Sequence, residues 1–162
     1  MRGFVIKAGV CVFALFLTVA CGRKGDPRPP ETKAPSQVQY LTLAGEVKGV
    51  KLSWMSPVTD ASGDPLIDLA EFRIKRAVVE SDSKPKFVVI AEIEVPESEE
   101  AAPSSKQGSN FTYLDEDVAP GKRYEYLVFP VNKDGVAGVA PEAFRVKFAG
   151  ESSLIERVSS KQ

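Results

Sequence analysis

The stretch DEDVAPGKRYEYLVFPVNKDG, residues 115–135, decides how the rest of the chain is read. Pro120-Gly121 near its start and Lys133-Asp134-Gly135 at its end are turn signals. Between them Tyr124, Tyr126 and Val128 recur at every second position, the period of a strand and not of a helix. The same period runs outward in both directions. Val50, Leu52 and Trp54 alternate with Lys51 and Ser53, and Phe72 and Ile74 alternate with Arg73 and Lys75. Phe111 and Tyr113 flank Thr112, and Phe144, Val146 and Phe148 close the series. Residues 87–93 are rich in β-branched side chains, and Ser62-Gly63-Asp64-Pro65 is a further turn signal. No amphipathic stretch is long enough to compete as a helix. The pattern predicts an all-β, antiparallel sandwich of short strands.

The strand at 123–132 departs from simple alternation. Its inward set is Tyr124, Tyr126 and Val128, yet the other set, Leu127, Phe129 and Val131, is apolar too. A sandwich strand ordinarily shows polar residues to water. Two readings stand: the stripe is covered by another segment or by lysine stems, or it is a docking face bordered by Arg73 and Lys75. Pro130 lacks an N–H, so it interrupts the ladder and marks a bulge.

Three stretches together resemble strands of a fibronectin type III domain: GVKLSW at 49–54, EFRIKR at 71–76, and the opening stretch at 115–135. The resemblance spans about residues 35–149 and implies a seven-stranded sandwich, with strands at 38–43, 50–54, 70–77, 86–93, 110–114, 123–132 and 143–148. It implies that Trp54 is the core tryptophan and that Tyr124 is the corner tyrosine whose hydroxyl bonds back to nearby backbone. Val118 and Lys122 stand where that corner usually has leucine and threonine. Trp54 and Tyr124 are therefore read as core residues and not as a stacking platform.

Composition excludes several functions. The formal net charge is −1, so no general basic field attracts nucleic acid. There is no histidine, which removes the commonest general base and metal ligand. Serines such as Ser53 and Ser56 have no base to activate them, and there is no phosphate loop. The chain is expected to be no enzyme and to carry no cofactor and no metal. Asp115, Glu116 and Asp117 are a candidate calcium cluster, but they lack the twelve-residue loop with its glycine turn and closing glutamate. A solvated strand end is the better reading, as it is for the loop at 60–64.

The N-terminus is of another kind. Arg2 and Lys7 precede AGVCVFALFLTVA, residues 8–20, a run without charge. A positive start followed by an apolar run is the layout of a secretory signal. It is shorter than the roughly 20 residues that span a bilayer. Ala20 is followed at once by Cys21 and Gly22, which resembles a bacterial lipobox, with Thr18 where leucine is usual. The resemblance implies cleavage before Cys21 and acylation of its thiol and of the new amine. Each buried methylene contributes about 0.8 kcal/mol, and one chain anchors only marginally, so several acyl chains would hold the protein to a membrane. Cys11 would leave with the signal, so no disulfide is expected.

Residues 22–35, GRKGDPRPPETKAP, hold four prolines, two glycines, four cations and no large apolar side chain. This is a tether, extended and mobile, with Arg23, Lys24 and Arg28 near anionic headgroups. The start CGRKGDPRPP also resembles a small outer-membrane lipoprotein family that helps mature the lipopolysaccharide translocon. Cys21, Gly22, Lys24 and Gly25 match, and Asp26 stands where that family has proline.

The expected organisation is a signal at 1–20, a lipidated cysteine and tether at 21–35, a fibronectin type III-like domain at 36–149 and a tail at 150–162. The tail groups Leu154, Ile155 and Val158 at helical spacing, as one short helix or a frayed end. Residues 96–109 exceed a normal hairpin and form a solvated flap. The expected role is a binding or scaffolding module on the bacterial envelope. It would be held at the outer membrane by acyl chains, with an envelope protein or polysaccharide as partner. Residues 21–30 acting in translocon assembly is the alternative.

Overall fold

The computed structural model describes residues 33–80, 84–96, 108–139 and 142–158. The signal, Cys21, the Gly22, Arg23, Lys24, Gly25 motif and residues 97–107 of the flap lie outside the described residues. Eight strands follow in chain order: β1 Gln39–Glu46, β2 Gly49–Met55, β3 Leu69–Val78, β4 Val88–Glu94, β5 Asn110–Asp115, β6 Arg123–Asn132, β7 Ala143–Lys147 and β8 Leu154–Val158. They form two antiparallel sheets, ordered β1-β2-β5 and β4-β3-β6-β7-β8. The all-β sandwich read from the period of two is the fold found, with one strand more than the seven expected.

The core lies where the inward sets of β2, β3 and β6 meet. Val50, Leu52, Phe72, Ile74, Tyr126, Val128 and Val146 have no exposed surface, and Trp54 retains 2 %. Trp54 meets Phe72 edge-on at 5.4 Å and stacks on Phe111 at 6.1 Å, while Phe72 and Phe111 lie 4.7 Å apart. Such aromatic pairs contribute about 0.5–1.5 kcal/mol beyond their buried area. Pro130 pairs with Phe72 inside the β3–β6 ladder, and the register shift on β3 falls between Leu69 and Glu71, opposite Asn132 and Val131. The bulge expected at Pro130 is thus not at that residue but on the partner strand, beyond the next pair. The turn into β6 needs Gly121, whose φ of 82° suits glycine and few other residues.

The tail is neither helical nor frayed over its described part. β8 pairs with β7 along its whole length, from Ala143↔Val158 to Lys147↔Leu154. The reason is the open edge of β7, whose backbone groups find partners only if another strand joins. Of the three apolar residues, Ile155 packs on the core and Leu154 is 59 % exposed. Residues 33–35 correct the tether boundary. Ala34 is 6 % exposed, Pro35 is fully buried, and Pro35 bridges Asp60. Ala61 N–H donates to Ala34 O at 2.8 Å, and Ser36 N–H donates to Thr59 O at 3.0 Å. Small side chains with satisfied backbone suffice to dock here, which a search for large apolar residues overlooks.

Trp54→Ala is expected to cost about 3–5 kcal/mol through the cavity it leaves. Trp54 Nε1 has no hydrogen-bond partner in the core, so Trp54→Phe retires an unpaired donor and is expected to cost markedly less. Urea midpoints of the two variants against the unaltered protein check the order.

Candidate functional site

Two regions hold the residues singled out by the sequence. The first is the closed end of the sandwich beside the turn into β6. Asp115 ends β5 opposite Val50 of β2, so its carboxylate follows Phe111 and Tyr113 inward and is 2 % exposed. Arg76 lies on the facing sheet, in the inward set with Phe72 and Ile74 and opposite Tyr126. Its Nη1 donates to both Asp115 oxygens, at 3.0 and 2.8 Å, and to Asp117 O at 2.5 Å. Its Nη2 donates to Asp117 Oδ2 at 2.8 Å. Tyr126 O–H donates to Asp115 Oδ2 at 2.7 Å, and Asp117 N–H donates to Oδ1 at 3.1 Å. The guanidinium also lies 5.4 Å from the Tyr124 ring centre. Tyr124 is the corner tyrosine, and its hydroxyl accepts from Ala119 N–H at 2.9 Å.

Asp115 is therefore not the solvated strand end that was expected, although Glu116 and Asp117 are exposed. The register turns it inward, and Arg76 supplies the positive charge that would otherwise be a metal's. Among the described residues no group of His, Cys, Asp and Glu side chains is placed to hold a metal ion. Burial pushes the Tyr126 hydroxyl well above its ordinary range, and the bond to Asp115 and its charge add to this. Burial alone would lower Arg76, but its bonds to Asp117 and Asp115 outweigh it and raise the group further. The whole constellation is satisfied and holds the two sheets together. The 60–64 loop is likewise self-satisfied, because Asp60 Oδ1 accepts from Ser62 and Asp64 N–H, each at 2.9 Å.

The second region is the outer face of β3 and β6. Cross-strand pairs place Leu127 beside Lys75, Phe129 beside Arg73 and Val131 beside Glu71. Leu127 and Phe129 are half-buried, but Val131 is only 1 % exposed and offers no docking surface. The chain returning after β6 encloses it, through a bridge to Ala137 and a bond from Gly138 N–H to Pro130 O at 2.7 Å. β8 covers none of the stripe, since it lies beyond β7 in the same sheet. Lys75 Nζ sits 4.7 Å from the Phe129 ring centre, a cation–π contact of about 0.5–1 kcal/mol at an exposed site. Arg73 is neutralised by Glu71 at 2.6 Å and Glu92 at 3.3 Å. These are ion contacts off hydrogen-bond alignment, as Arg73 Nε and Glu71 Oε1 have no aligned partner. Val89, 49 % exposed and opposite Lys75, extends the apolar patch toward the β4 edge.

Sequence reasoning missed Arg76 and the burial of Asp115. The signal was present: both charges fall in phase with the apolar positions of their own strands.

No family model matches the chain, and no curated protein matches it. Among solved structures it is similar to a fibronectin type III domain of the human KIAA0970 protein, at TM-score 0.48 and 19 % identity over 87 % of this chain and 98 % of that one. It is also similar to an Fn3-like protein from Clostridium thermocellum, at TM-score 0.42 and 20 % identity over 68 % and 88 %. A third is the twitchin kinase region from C. elegans, at TM-score 0.46 and 16 % identity, where the match covers 68 % of this chain and only 16 % of that one. The fold itself is an all-β sandwich of two antiparallel sheets. These distant likenesses say nothing of activity.

Asp115→Ala is expected to cost about 3–5 kcal/mol, because it leaves Arg76 buried without its main partner. Tyr124→Phe is expected to cost only about 1 kcal/mol, since the Ala119 backbone it releases is exposed to water. Denaturant melts separate the two. The pH dependence has a definite sign. Tyr126 is raised above its unfolded value of about 10, so its contribution is whole below that pH and is lost as the pH climbs beyond it. In an ultraviolet titration its phenolate is expected to appear only as the domain unfolds, and Tyr126→Phe removes that late step.

Proposed function

We propose that this chain is a lipid-anchored envelope lipoprotein whose sandwich binds or scaffolds a partner without performing chemistry. The observation that carries the reading is the charge-free run that stops at Ala20-Cys21-Gly22 and gives way to a proline-rich segment. Cys21 takes the acyl chains, Gly22, Arg23, Lys24 and Gly25 lie at the headgroups, and the outer membrane is the destination. The docking of Ala34 and Pro35 supports it, because it gives a tether a fixed point of attachment on the domain. The partner surface is the patch of Val89, Leu127 and Phe129, rimmed by Lys75 and Arg73. An apolar centre within a polar rim is the anatomy of a docking site. The partner is an envelope protein or polysaccharide, and neither nucleic acid nor a cofactor takes part.

A second reading rests on the CGRKGDPRPP start: an accessory role in lipopolysaccharide translocon assembly through residues 21–30. The two readings separate on the domain. If the start carries the function, residues 1–35 suffice without the sandwich. If the patch carries it, they do not.

Cys21→Ser is expected to abolish labelling by an alkyne fatty acid and to release the protein from pelleted membranes. A variant that still pellets, beside a wild type that takes no label, defeats the lipoprotein reading. Phe129→Ser is expected to leave the protein folded and membrane-bound while its partner disappears from crosslinks, since truncating an aromatic hot spot costs about 2 kcal/mol or more of binding.

A further inference from the structure

A cleft of about 440 Å³ opens on the outer face of β6, β7 and β8, lined by Gly121, Arg123, Arg145, Lys147, Leu154 and Glu156. Its charges are arranged at a cost. Arg123 and Lys147 are direct cross-strand partners, and like charges placed so destabilise a sheet. Neither makes an ion pair among the described residues. Arg145, two residues before Lys147 on the same face, is fixed by its cross-strand partner: its Nε donates to Glu125 Oε1 at 2.9 Å and its Nη2 bonds the same oxygen. Glu125 is 3 % exposed and neutralises Arg145, so this pair brings oriented donors to the cleft and the net positive charge is that of Arg123 and Lys147. Glu156 stands opposite Arg145 as the one anion of the wall, and Leu154, 59 % exposed, faces Lys147.

We infer that this cleft binds a phosphate group. An ammonium and a guanidinium held side by side, with a second guanidinium already oriented by a buried carboxylate, suit an oxyanion of two or more charges. Such a ligand removes the repulsion between Arg123 and Lys147, so binding offsets what folding gave up. The volume exceeds that of a lone phosphate and falls in the range of small-molecule sites, which leaves room for the group that bears it. Arg123 opens β6 and Asn132 closes it, and Asn132 Nδ2 donates to Lys33 O at 3.4 Å. Nine steps of about 3.3 Å put the cleft roughly 30 Å from the point where the N-terminal segment docks. The site is separate from the Phe129 patch and does not depend on Cys21 being acylated.

The test is isothermal titration of the full-length chain, held in non-ionic detergent micelles, in two arms. One arm adds inorganic tripolyphosphate and the other adds phosphatidylglycerol in mixed micelles. Saturation by tripolyphosphate alone identifies a free phosphate, saturation by phosphatidylglycerol alone identifies a lipid headgroup, and saturation by both shows that the phosphate itself suffices. The double variant Arg123→Gln/Lys147→Gln is expected to weaken binding about tenfold or more, with a thermal midpoint equal to or above that of the wild type. Glu156→Gln is expected to tighten it by up to about fivefold. The single variant Lys147→Gln repeats the loss if the double variant fails to fold. No saturation in either arm, or equal affinity in the glutamine variants and the wild type, overturns the assignment.

Discussion

The Arg76 guanidinium and the Asp115 carboxylate meet where the two sheets close on each other, and the closed end of the sandwich is built around that pair. Each comes from a different sheet, and both are removed from water, with side chains 13 % and 3 % exposed. Taking such charges out of water costs several kcal/mol apiece, which only near-complete hydrogen bonding offsets. Tyr126, Asp117 and the Tyr124 ring supply that satisfaction. The pair therefore adds little net stability over an apolar filling, but it leaves few other ways to align the sheets. A slip of one residue on β3 or β5 would turn a charge outward and an apolar side chain with it. We take the network as the device that fixes the register of one sheet on the other.

The strands were legible because their inward sets are almost wholly apolar, and the period of two needs no partner to be seen. Arg123–Asn132 was read to the residue, bounded as it is by Pro120-Gly121 and Lys133-Asp134-Gly135. What was not legible depends on which strand lies beside which. β8 read as a short helix or a frayed end because Leu154, Ile155 and Val158, at i, i+1 and i+4, fit a helical face and break a period of two, and the open β7 edge that decides the matter lies in the fold alone. Val131 looked like surface because its cover comes from the return after β6. Asp115 and Arg76 looked like surface because charges usually are, although their phase along the strand pointed inward. Arg123, Arg145 and Lys147 read singly as ordinary outward residues, and only the register of β6 on β7 gathers them.

The two ends of the sandwich differ in kind. At one end, Asn132, Lys33, Pro35 and Asp60 join the N-terminal segment to the loops by hydrogen bonds and a bridge. At the other, the corner tyrosine, the buried ion pair and the phosphate cleft crowd within a few residues of Gly121. The apolar patch of Leu127 and Phe129 lies between them on the outer sheet. A domain held by the first end presents both proposed binding regions away from its point of attachment.

The docking of residues 33–36 also has a mechanical meaning. Any pull on the chain before Lys33 passes first through Ala34, Pro35 and Ser36, whose bonds to Thr59 and Ala61 are few and stand outside both main ladders. They are the first contacts such a pull meets, ahead of the β1–β2 ladder, which six cross-strand pairs hold. Freeing residues 33–36 releases about 13 Å of chain at some 3.3–3.6 Å per residue, while Val38 stays in the core. The segment thus lies first in line for any load carried by the chain before it.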